Sequence, residues 1–417
     1  MQETNKTTNQ KPKKKQKRQR WLKFRHRVVR NIAFATLGVF CRLKYRARVE
    51  KFRGQEKRPY LILMNHQTPF DQFFVGMSFR GPIYYLATED IFSLGWLSSC
   101  LRYLVAPIPI QKQTVDVKAV MTCMRVAREG GTIAICPEGN RTYSGRTEYM
   151  NPSISTLCRS LKLPIVLYRL EGGYGVQPRW SDTVRKGGMR CYVSRVIRPE
   201  EYAALSDEEL FAAIREGLYV DDTRLGGTWR HKRSAEYLER VLYVCPTCGL
   251  SSFYSDRDTV ECLTCHTKVR HLPTLELEAA DGDFPYKHFS QWYDAQTDFV
   301  NDFDPMLHCE EPLFRDTVRL SEVIPYSHKE KLADGVTLSL YGDRVTAEAG
   351  DGRVWELSYA EISGAAVLGR NKLNFYIHDK IYQIKGDERF NALKYVHMYH
   401  RYKNLHTGDG HGKFLGL

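Results

Sequence analysis

Four cysteines in two closely spaced pairs constrain the fold of this chain more than any other feature. They are Cys245, Cys248, Cys262 and Cys265, two Cys-x2-Cys pairs with 13 residues between them. Thiolates at this spacing can complete a tetrahedral zinc shell, and two disulfides or a chance spacing are the alternatives. Because four protein ligands leave no open coordination position, the pattern predicts a structural zinc ribbon over residues 243–270 and no catalytic metal.

The positive charge of the chain is concentrated at its N-terminus. The 417 residues contain 62 Lys and Arg and 48 Asp and Glu, a net charge of +14. Residues 1–50 hold 16 of the basic and two of the acidic residues, so the 46 of each sign that remain cancel. Residues 1–20 are too polar to bury a core, and we interpret them as a disordered basic tail. Such a tail is typical of proteins that bind a polyanion, either an anionic membrane surface or nucleic acid.

An amphipathic pattern follows the tail. Apolar residues recur at steps of three and four, as on one side of a helix: Trp21, Phe24, Val28, Ile32, Ala35, Val39 and Leu43. Residues 21–49 are therefore predicted to form a basic amphipathic helix on a membrane surface. Its uncharged centre, residues 31–41, is too short to span a bilayer, which requires about 20 residues. Packing of the apolar stripe on the protein's own core is one alternative, and a transit peptide is another.

Short apolar runs alternate with helical stretches across residues 50–222. The runs predict five strands, at residues 60–64, 83–87, 132–136, 164–169 and 190–197. Helices are expected at residues 69–79, 116–129 and 206–218, the last with a capping box formed by Ser206 and Glu209. This alternation is typical of an α/β domain with a mixed or parallel sheet and flanking helices.

The rest of the chain lacks this alternation of strands and helices. Residues 223–242 are interpreted as a connector, and residues 271–334 as an irregular, aromatic-rich linker region. From residue 335 to residue 417 several short strands with glycine-containing turns precede one helix, at about residues 387–402. This pattern predicts a small β-rich domain, similar to a pleckstrin-homology module.

Two polar motifs directly follow predicted strands of the α/β domain. In the first, Thr68 suits a helix N-cap and Pro69 the first helical position. His66 would then lie on the turn ahead of the helix, and Asp71 on the first helical turn could reach its imidazole. A His held by a carboxylate can take a proton from a hydroxyl, although a simple turn residue beside a helix-start acid is the alternative.

The second motif is Pro137-Glu138-Gly139-Asn140-Arg141. Gly and Asn permit a left-handed turn, and Arg141 on that turn could bind a phosphate or carboxylate. An ordinary turn with a solvated Arg is the alternative. Two such loops, one with a base and one with an anion-binding group, favour a catalytic site over either motif alone.

Together, Asn65-His66-x4-Asp71 and Pro137-Glu138-Gly139-x-Arg141 resemble the motifs of glycerophospholipid acyltransferases of the 1-acylglycerol-3-phosphate acyltransferase type. The resemblance covers about residues 50–220 and includes further blocks at residues 106–112 and 163–166. It implies that His66 is the general base, oriented by Asp71, in transfer of a fatty acyl group from acyl-CoA or acyl-carrier protein to a lysophospholipid hydroxyl. No acyl-enzyme, and so no nucleophilic Cys or Ser, is expected.

The resemblance also assigns substrate-binding residues and a setting. The acceptor and its phosphate would be bound by Asn65, Lys112, Glu138, Gly139 and Arg141. The family usually has Arg at the position of Lys112 and a Phe-Lys-x-Gly element where this chain has residues 150–153. The acceptor is therefore either 1-acylglycerol-3-phosphate or another lysolipid or polyol head group.

The expected enzyme works in phospholipid biosynthesis as a peripheral protein on the cytoplasmic face of a membrane. The rival class is a nucleic-acid-binding protein with a basic tail and a zinc ribbon. The predicted ribbon is not notably basic, because Arg257, Lys268 and Arg270 are balanced by nearby acids. Nucleic acid is thus the less favoured partner.

Overall fold

The computed structural model describes residues 20–88, 92, 96–110, 117–324 and 327–408. The basic tail up to residue 19 and the predicted substrate-binding residue Lys112 lie outside the described residues. Within them, no helix is both long enough and apolar enough to cross a bilayer.

A seven-stranded mixed sheet organises the first half of the chain. Its strands are β1 (Ala47–Val49), β2 (Leu61–Met64), β3 (Ile83–Thr88), β4 (Ile108–Ile110), β5 (Thr132–Ile135), β6 (Ile165–Glu171) and β7 (Met189–Ile197). They lie in the order β1-β7-β6-β2-β5-β3-β4. The five strands from β6 to β4 are parallel, and β7 runs antiparallel to β6. The predicted α/β class with a mixed sheet is confirmed.

Helices surround this sheet. They are α1 (Phe24–Ala33), α2 (Val39–Lys44), α3 (Asp71–Ser78), α4 (Trp96–Leu104), α5 (Val117–Arg128), α6 (Ile154–Leu161), α7 (Gly173–Val176), α8 (Pro199–Ala203) and α9 (Asp207–Leu218). The capping box of Ser206 and Glu209 at the start of α9 is confirmed. The N-cap assignment of Thr68 was wrong, because α3 begins at Asp71 with Phe70 as its N-cap.

The N-terminal helix packs one side on the domain. A π-helical turn, Phe34–Gly38, joins α1 to α2, and the helix ends at Lys44. His26 and Cys41 are buried, while Arg30 donates hydrogen bonds to the carbonyls of Gly76 and Phe79 near the end of α3. Most of the predicted apolar stripe is exposed to solvent: Phe24, Val28, Ile32, Val39 and Leu43. Apart from Trp21, which is partly buried against the core, the stripe is therefore not packed on the protein's own core, which was the alternative interpretation.

The cysteine-rich segment forms small antiparallel sheets. A hairpin of β8 (Val244–Cys245) and β9 (Gly249–Leu250) carries the first cysteine pair. A four-stranded meander follows: β10 (Phe253–Asp256), β11 (Thr259–Cys262), β12 (Lys268–His271) and β13 (Leu277–Ala279).

The interpretation of residues 271–334 as an irregular linker was wrong. The segment contains β13, the helix α10 (Phe289–Asp302), the strand β14 (Phe314–Val323) and the start of β15 (Lys329–Leu340). The core-facing residues of α10 recur with a helical period, and they are Phe289, Trp292, Tyr293, Gln296 and Val300.

The β-rich character of the C-terminal region is confirmed. Its remaining strands are β16 (Arg344–Glu348), β17 (Val354–Ser358), β18 (Ile362–Leu368), β19 (Lys372–Ile377) and β20 (Lys380–Lys385). Together with β14 and β15 they form a seven-stranded sheet in the order β17-β16-β15-β14-β20-β19-β18. The helix α11 (Leu393–His406) closes the module and packs against β18 and α10.

The C-terminal module also contacts the α/β domain. Arg370, in the turn between β18 and β19, pairs with Asp182 at 2.7 Å. Arg240 of the connector pairs with the same carboxylate at 2.7 Å and donates to the carbonyl of Glu388. The connector thus contacts both the α/β domain and the C-terminal module through the buried Arg240.

Candidate active site

The strand order brings the two polar motifs together. β2 and β5 are adjacent and parallel, with Leu63 paired to Ile135, so the loops that follow them leave the same edge of the sheet. The backbone N–H of Thr142 in the second loop donates to the carbonyl of His66 in the first, at 3.0 Å. Ligand sites of α/β sheets lie at this carboxyl edge, where side chains from several loops can converge.

His66 and Asp71 form the predicted pair. Nδ1 of His66 lies 2.7 Å from Oδ2 of Asp71, whose side chain is fully buried, whereas the His66 side chain is 25% exposed. The carboxylate also accepts from the backbone N–H groups of Gln67 and Thr68 and from the Thr68 hydroxyl, at 2.5–3.1 Å. This cradle fixes the carboxylate, and it leaves Nε2 of His66 for a substrate hydroxyl.

The Glu138 carboxylate links the two loops through their backbones. It accepts from the N–H of His66 at 3.0 Å and from the N–H of Glu148 at 2.8 Å. Its side chain is nearly buried, and burial raises its pKa well above the usual value, with the nearby charge of Glu148 acting in the same direction. In this geometry Glu138 positions the backbone of His66, and both of its oxygens are already occupied.

Arg141 lies on the turn that Gly139 makes possible. Gly139 has a φ of +71°, in the left-handed region that favours glycine, and its N–H closes the turn on Cys136. The Arg141 guanidinium makes a long contact, 3.4 Å, from Nη2 to the carbonyl of Arg179. Among the described residues its buried Nη1 has no hydrogen-bond partner, so the group is poised for an anionic ligand.

A second arginine supports Arg141. Arg179 is 4% exposed, and it donates to the carbonyl of Arg141 at 3.1 Å and to the carbonyl of Val367 in β18 at 3.0 Å. Its guanidinium lies 4.1 Å above the ring of Tyr143. Burial and the charge of Arg179 lower the pKa of Arg141 to about 10, and Arg370 acts in the same direction. Sequence reasoning missed Arg179 and Arg370, because neither lies in a motif.

Asn65 fastens the first loop to the sheet. Its Nδ2 donates to the carbonyl of Leu170 in β6 at 2.8 Å, and its Oδ1 accepts from the N–H of the same residue at 2.8 Å. The side chain is 2% exposed. The amide therefore extends the β2–β6 ladder and sets the direction in which the chain leaves β2.

Asp222 is a further support that the motifs did not reveal. This fully buried carboxyl group accepts from Gln67 Nε2 at 3.1 Å and from the N–H groups of Gly172, Tyr174 and Gly175 at 2.8–3.3 Å. Burial raises its pKa to about 7, against the opposing effect of these hydrogen bonds. It ties the short helix α7 to the loop that carries His66.

The four cysteines of the ribbon converge. Their Sγ atoms all lie within 4.8 Å of one another, with 3.5 Å between Cys245 and Cys265 and 3.6 Å between Cys248 and Cys262. A zinc ion bonded to four sulfurs at about 2.3 Å spaces them by about 3.8 Å, so the cluster fits such an ion. Separations of this size exceed a disulfide bond of about 2.05 Å, and all four are free thiols.

The structure therefore brings together His66, Asp71, Glu138, Gly139, Arg141 and Asn65. Of these, His66 and Arg141 have atoms left for a substrate, and Asp71, Glu138 and Asn65 hold the loops in place. A base and a guanidinium that share one edge of the sheet can activate a hydroxyl on a molecule that also carries an anionic group.

Comparisons with known proteins match part of the chain to acyltransferases. Residues 46–168 match the family model named Acyltransferase. A 1-acyl-sn-glycerol-3-phosphate acyltransferase of Bacillus subtilis (strain 168) is 24% identical over 136 residues, 33% of this chain and 65% of that protein. The chloroplastic 1-acyl-sn-glycerol-3-phosphate acyltransferase BAT2 of Brassica napus is 24% identical over 157 residues, 36% of this chain and 44% of that protein.

The solved structures that match include the 1-acyl-sn-glycerophosphate (LPA) acyltransferase PlsC from Thermotoga maritima. The match has 19% identity and a TM-score of 0.38, and it covers 45% of this chain and 77% of that one. The chain spans less than two thirds of the length of the two curated relatives.

Proposed function

We propose that the protein is an O-acyltransferase that acylates a lysophospholipid, because residues 46–168 match the acyltransferase family model. The donor is acyl-CoA or acyl-carrier protein, the acceptor is 1-acylglycerol-3-phosphate, and the reaction belongs to phospholipid biosynthesis. The observation that carries the proposal is the buried Asp71 carboxylate bonded to Nδ1 of the partly exposed His66.

This pair supplies the proton chemistry. Nε2 of His66 takes the proton of the acceptor hydroxyl while its oxygen attacks the thioester carbonyl. The C–S bond then breaks, the imidazolium returns the proton to the leaving sulfur, and an ester and a free thiol are the products. Asp71 stabilises the transient imidazolium, and the protein forms no covalent bond to the acyl group.

A phosphate on the acceptor fits the charges near His66. Arg141 offers a buried Nη1 without a partner among the described residues, and Arg179 holds its backbone in place. Arg370 adds a guanidinium from the C-terminal module, and its charge acts to lower the pKa of both Arg141 and Tyr45. Guanidinium groups bind phosphate through paired, charge-assisted hydrogen bonds, so this surrounding favours a phosphomonoester over an uncharged polyol head group.

The N-terminal helix supports a peripheral position on an anionic membrane surface. Its exposed apolar side chains include Phe24 and Leu43, with 79% and 72% of their surface accessible. Basic residues on the same segment, such as Arg27 and Arg42, are exposed as well. Apolar insertion and attraction to anionic lipid act together in such helices.

We also propose that Cys245, Cys248, Cys262 and Cys265 bind one structural zinc ion. The ion would fasten the β8–β9 hairpin to the turn after β11. A complete thiolate set leaves no position for substrate, so its role would be in folding.

The central test compares His66→Ala with the matched control His406→Ala, an exposed histidine at the end of α11. Purified protein is incubated with labelled long-chain acyl-CoA and 1-acylglycerol-3-phosphate, and the diacyl product is quantified. We expect His66→Ala to lose about 10³-fold or more in kcat, with an unchanged thermal midpoint, and His406→Ala to retain full activity. Equal activity of the two variants would remove His66 from the mechanism.

A second assay identifies the acceptor. The wild-type protein is offered a panel that contains lysophosphatidate, lysophosphatidylcholine, lysophosphatidylglycerol and glycerol 3-phosphate. Lysophosphatidate should give a higher kcat/KM than the two phosphodiester lysolipids, because its phosphomonoester carries the greater negative charge. Preference for a phosphodiester acceptor would reassign the head group while leaving the His66 chemistry in place.

A further inference from the structure

A basic cavity lies at the edge of the sheet opposite to His66. It has a volume of about 370 Å³ and is bounded by the start of α1 and by the segment that connects α4 to β4. Ala106, Pro107 and Pro109 line it where the chain enters β4, and His26 in its wall bonds to Tyr84 at the start of β3. His66 and Arg141 follow the other ends of neighbouring parallel strands, so the cavity is separate from the candidate active site.

The charge of this cavity is strongly positive. Five cationic side chains line it, and none of its described lining residues is acidic: Arg20, Lys23, Arg25, Arg102 and Arg125. Within the part of the chain that the structure describes, Arg20, Lys23 and Arg102 form no ion pair. Arg125 pairs with Glu129 at 3.2 Å, whereas the cations without such a pair repel one another unless an anion is bound, so the arrangement favours an anionic ligand.

A buried imidazole independently points to a ligand. His26 is 3% exposed, its Nδ1 lies 3.0 Å from the hydroxyl of Tyr84, and its Nε2 has no partner among the described residues. Burial lowers the pKa of His26, and the charges of Arg25 and Lys23 lower it further. A neutral ring whose Nδ1 accepts from the tyrosine presents Nε2–H as a donor, which suits an oxygen of an anion.

Hydrogen bonds hold the wall of the cavity in place. The backbone N–H groups of Trp21 and Leu22 donate to Glu129 at 2.7 and 3.0 Å, which fixes the chain as it enters α1. Arg25 donates to the carbonyl of Tyr103 at 2.8 Å and stacks on its ring at 3.8 Å, which joins α1 to α4.

Exposed apolar side chains flank the lining residues along the chain. Phe24 lies between Lys23 and Arg25 and is 79% exposed, and Tyr103, Leu104 and Val105 follow Arg102 and are all exposed. Cationic lining residues with exposed apolar neighbours along the chain match the boundary between lipid head groups and acyl chains. Free phosphate or a nucleotide would not need such apolar neighbours.

We propose that this cavity is a second lipid site, which holds the phosphate head group of an anionic membrane phospholipid while the flanking apolar side chains enter the bilayer. The site fixes the orientation of the α/β domain on the membrane. The proposal builds on the membrane attachment proposed above, and it does not depend on acyl transfer.

The test measures binding of the full chain to vesicles by co-sedimentation. The variant Lys23→Gln/Arg102→Gln removes two cavity cations, and the control Arg27→Gln/Arg42→Gln removes two exposed cations that do not line it. On vesicles of phosphatidylcholine with phosphatidylglycerol, we expect the cavity variant to bind about tenfold more weakly and the control less than about threefold. On pure phosphatidylcholine both should match the wild type.

Two outcomes would overturn the proposal. Equal weakening of the two variants would mean that only diffuse surface charge is sensed. An unchanged vesicle affinity, with a raised KM for acyl-CoA in detergent micelles, would assign the cavity to the phosphates of the donor. Retained acyl transfer in micelles by the cavity variant is expected, so this test can fail while the proposed function stands.

Discussion

Replacing Arg370 with Gln tests whether the C-terminal module takes part in acceptor recognition. The guanidinium pairs with Asp182 at 2.7 Å, and both side chains are about one third exposed. Loss of this partly exposed pair should lower the free energy of unfolding by about 1 kcal/mol or less. Loss of a charge-assisted hydrogen bond to a bound phosphate costs more, about 1.5–3 kcal/mol, or about 10- to 150-fold in affinity.

Because Asp182 already neutralises part of the charge of Arg370, we expect the lower end of this range. Arg370→Gln should raise the KM for lysophosphatidate about tenfold with little change in kcat, since His66 and Asp71 are untouched. The measurement is steady-state acylation at saturating acyl-CoA with varied lysophosphatidate. A matched control is Arg353→Gln, which removes an exposed, Asp351-paired arginine from the same module.

Asp182→Asn separates substrate binding from a purely structural latch. If Arg370 only holds the module in place through Asp182, the asparagine variant should raise KM as much as Arg370→Gln does. If Arg370 faces the phosphate, removal of a competing carboxylate should leave KM unchanged or lower it. An equal rise in KM in the two variants would refute the reasoning.

Three further perturbations test the turn at Gly139, the buried Asp222 and the proposed zinc site. Gly139→Ala should cost about 1 kcal/mol of stability and raise the acceptor KM, because the φ of +71° at this position is strained for alanine. The control Gly130→Ala has a φ of +87° and equal free space, so it should cost the same stability without affecting KM. The native Asp222 keeps its proton up to about pH 7, whereas the unfolded one ionises near pH 4. The free energy of unfolding of the wild type should therefore fall as pH rises between these values, by at most about 1.4 kcal/mol per pH unit. Denaturant titrations of Asp222→Asn should lack this contribution. Elemental analysis should find one zinc per chain in the wild type and none in Cys248→Ser, with a lower thermal midpoint in the variant; equal metal content would contradict the proposed site.

The sequence pattern predicted the loops that meet at the site because their partners are local. His66 and Asp71 are five residues apart, and the second motif follows a strand that pairs directly with β2. The start of α3 was misplaced for a similarly local reason. The Asp71 carboxylate accepts from the N–H of Thr68, so these residues form a turn around the carboxylate instead of the first helical turn.

Arg179 and Arg370 could not be predicted in the same way. Their positions depend on how the C-terminal module packs on the α/β domain, through contacts such as Arg179 to Val367, 188 residues apart. No local pattern contains that information. By contrast, the helical period of α10 was present in the sequence, and only its aromatic composition led to the interpretation of an irregular linker.

The hydrogen bonds of the motif residues also explain why two loops can serve as a site at all. Asn65 is fixed to β6, Asp71 to the turn before α3, and Glu138 to the backbones of both loops. Each of these polar side chains is buried and occupied, so it sets geometry without competing for substrate. What remains available is one imidazole nitrogen and the guanidinium of Arg141, and the C-terminal module contacts the loop that holds this guanidinium through Arg179. A chain that lacked this module would keep the base, and we expect it to recognise the acceptor phosphate less well.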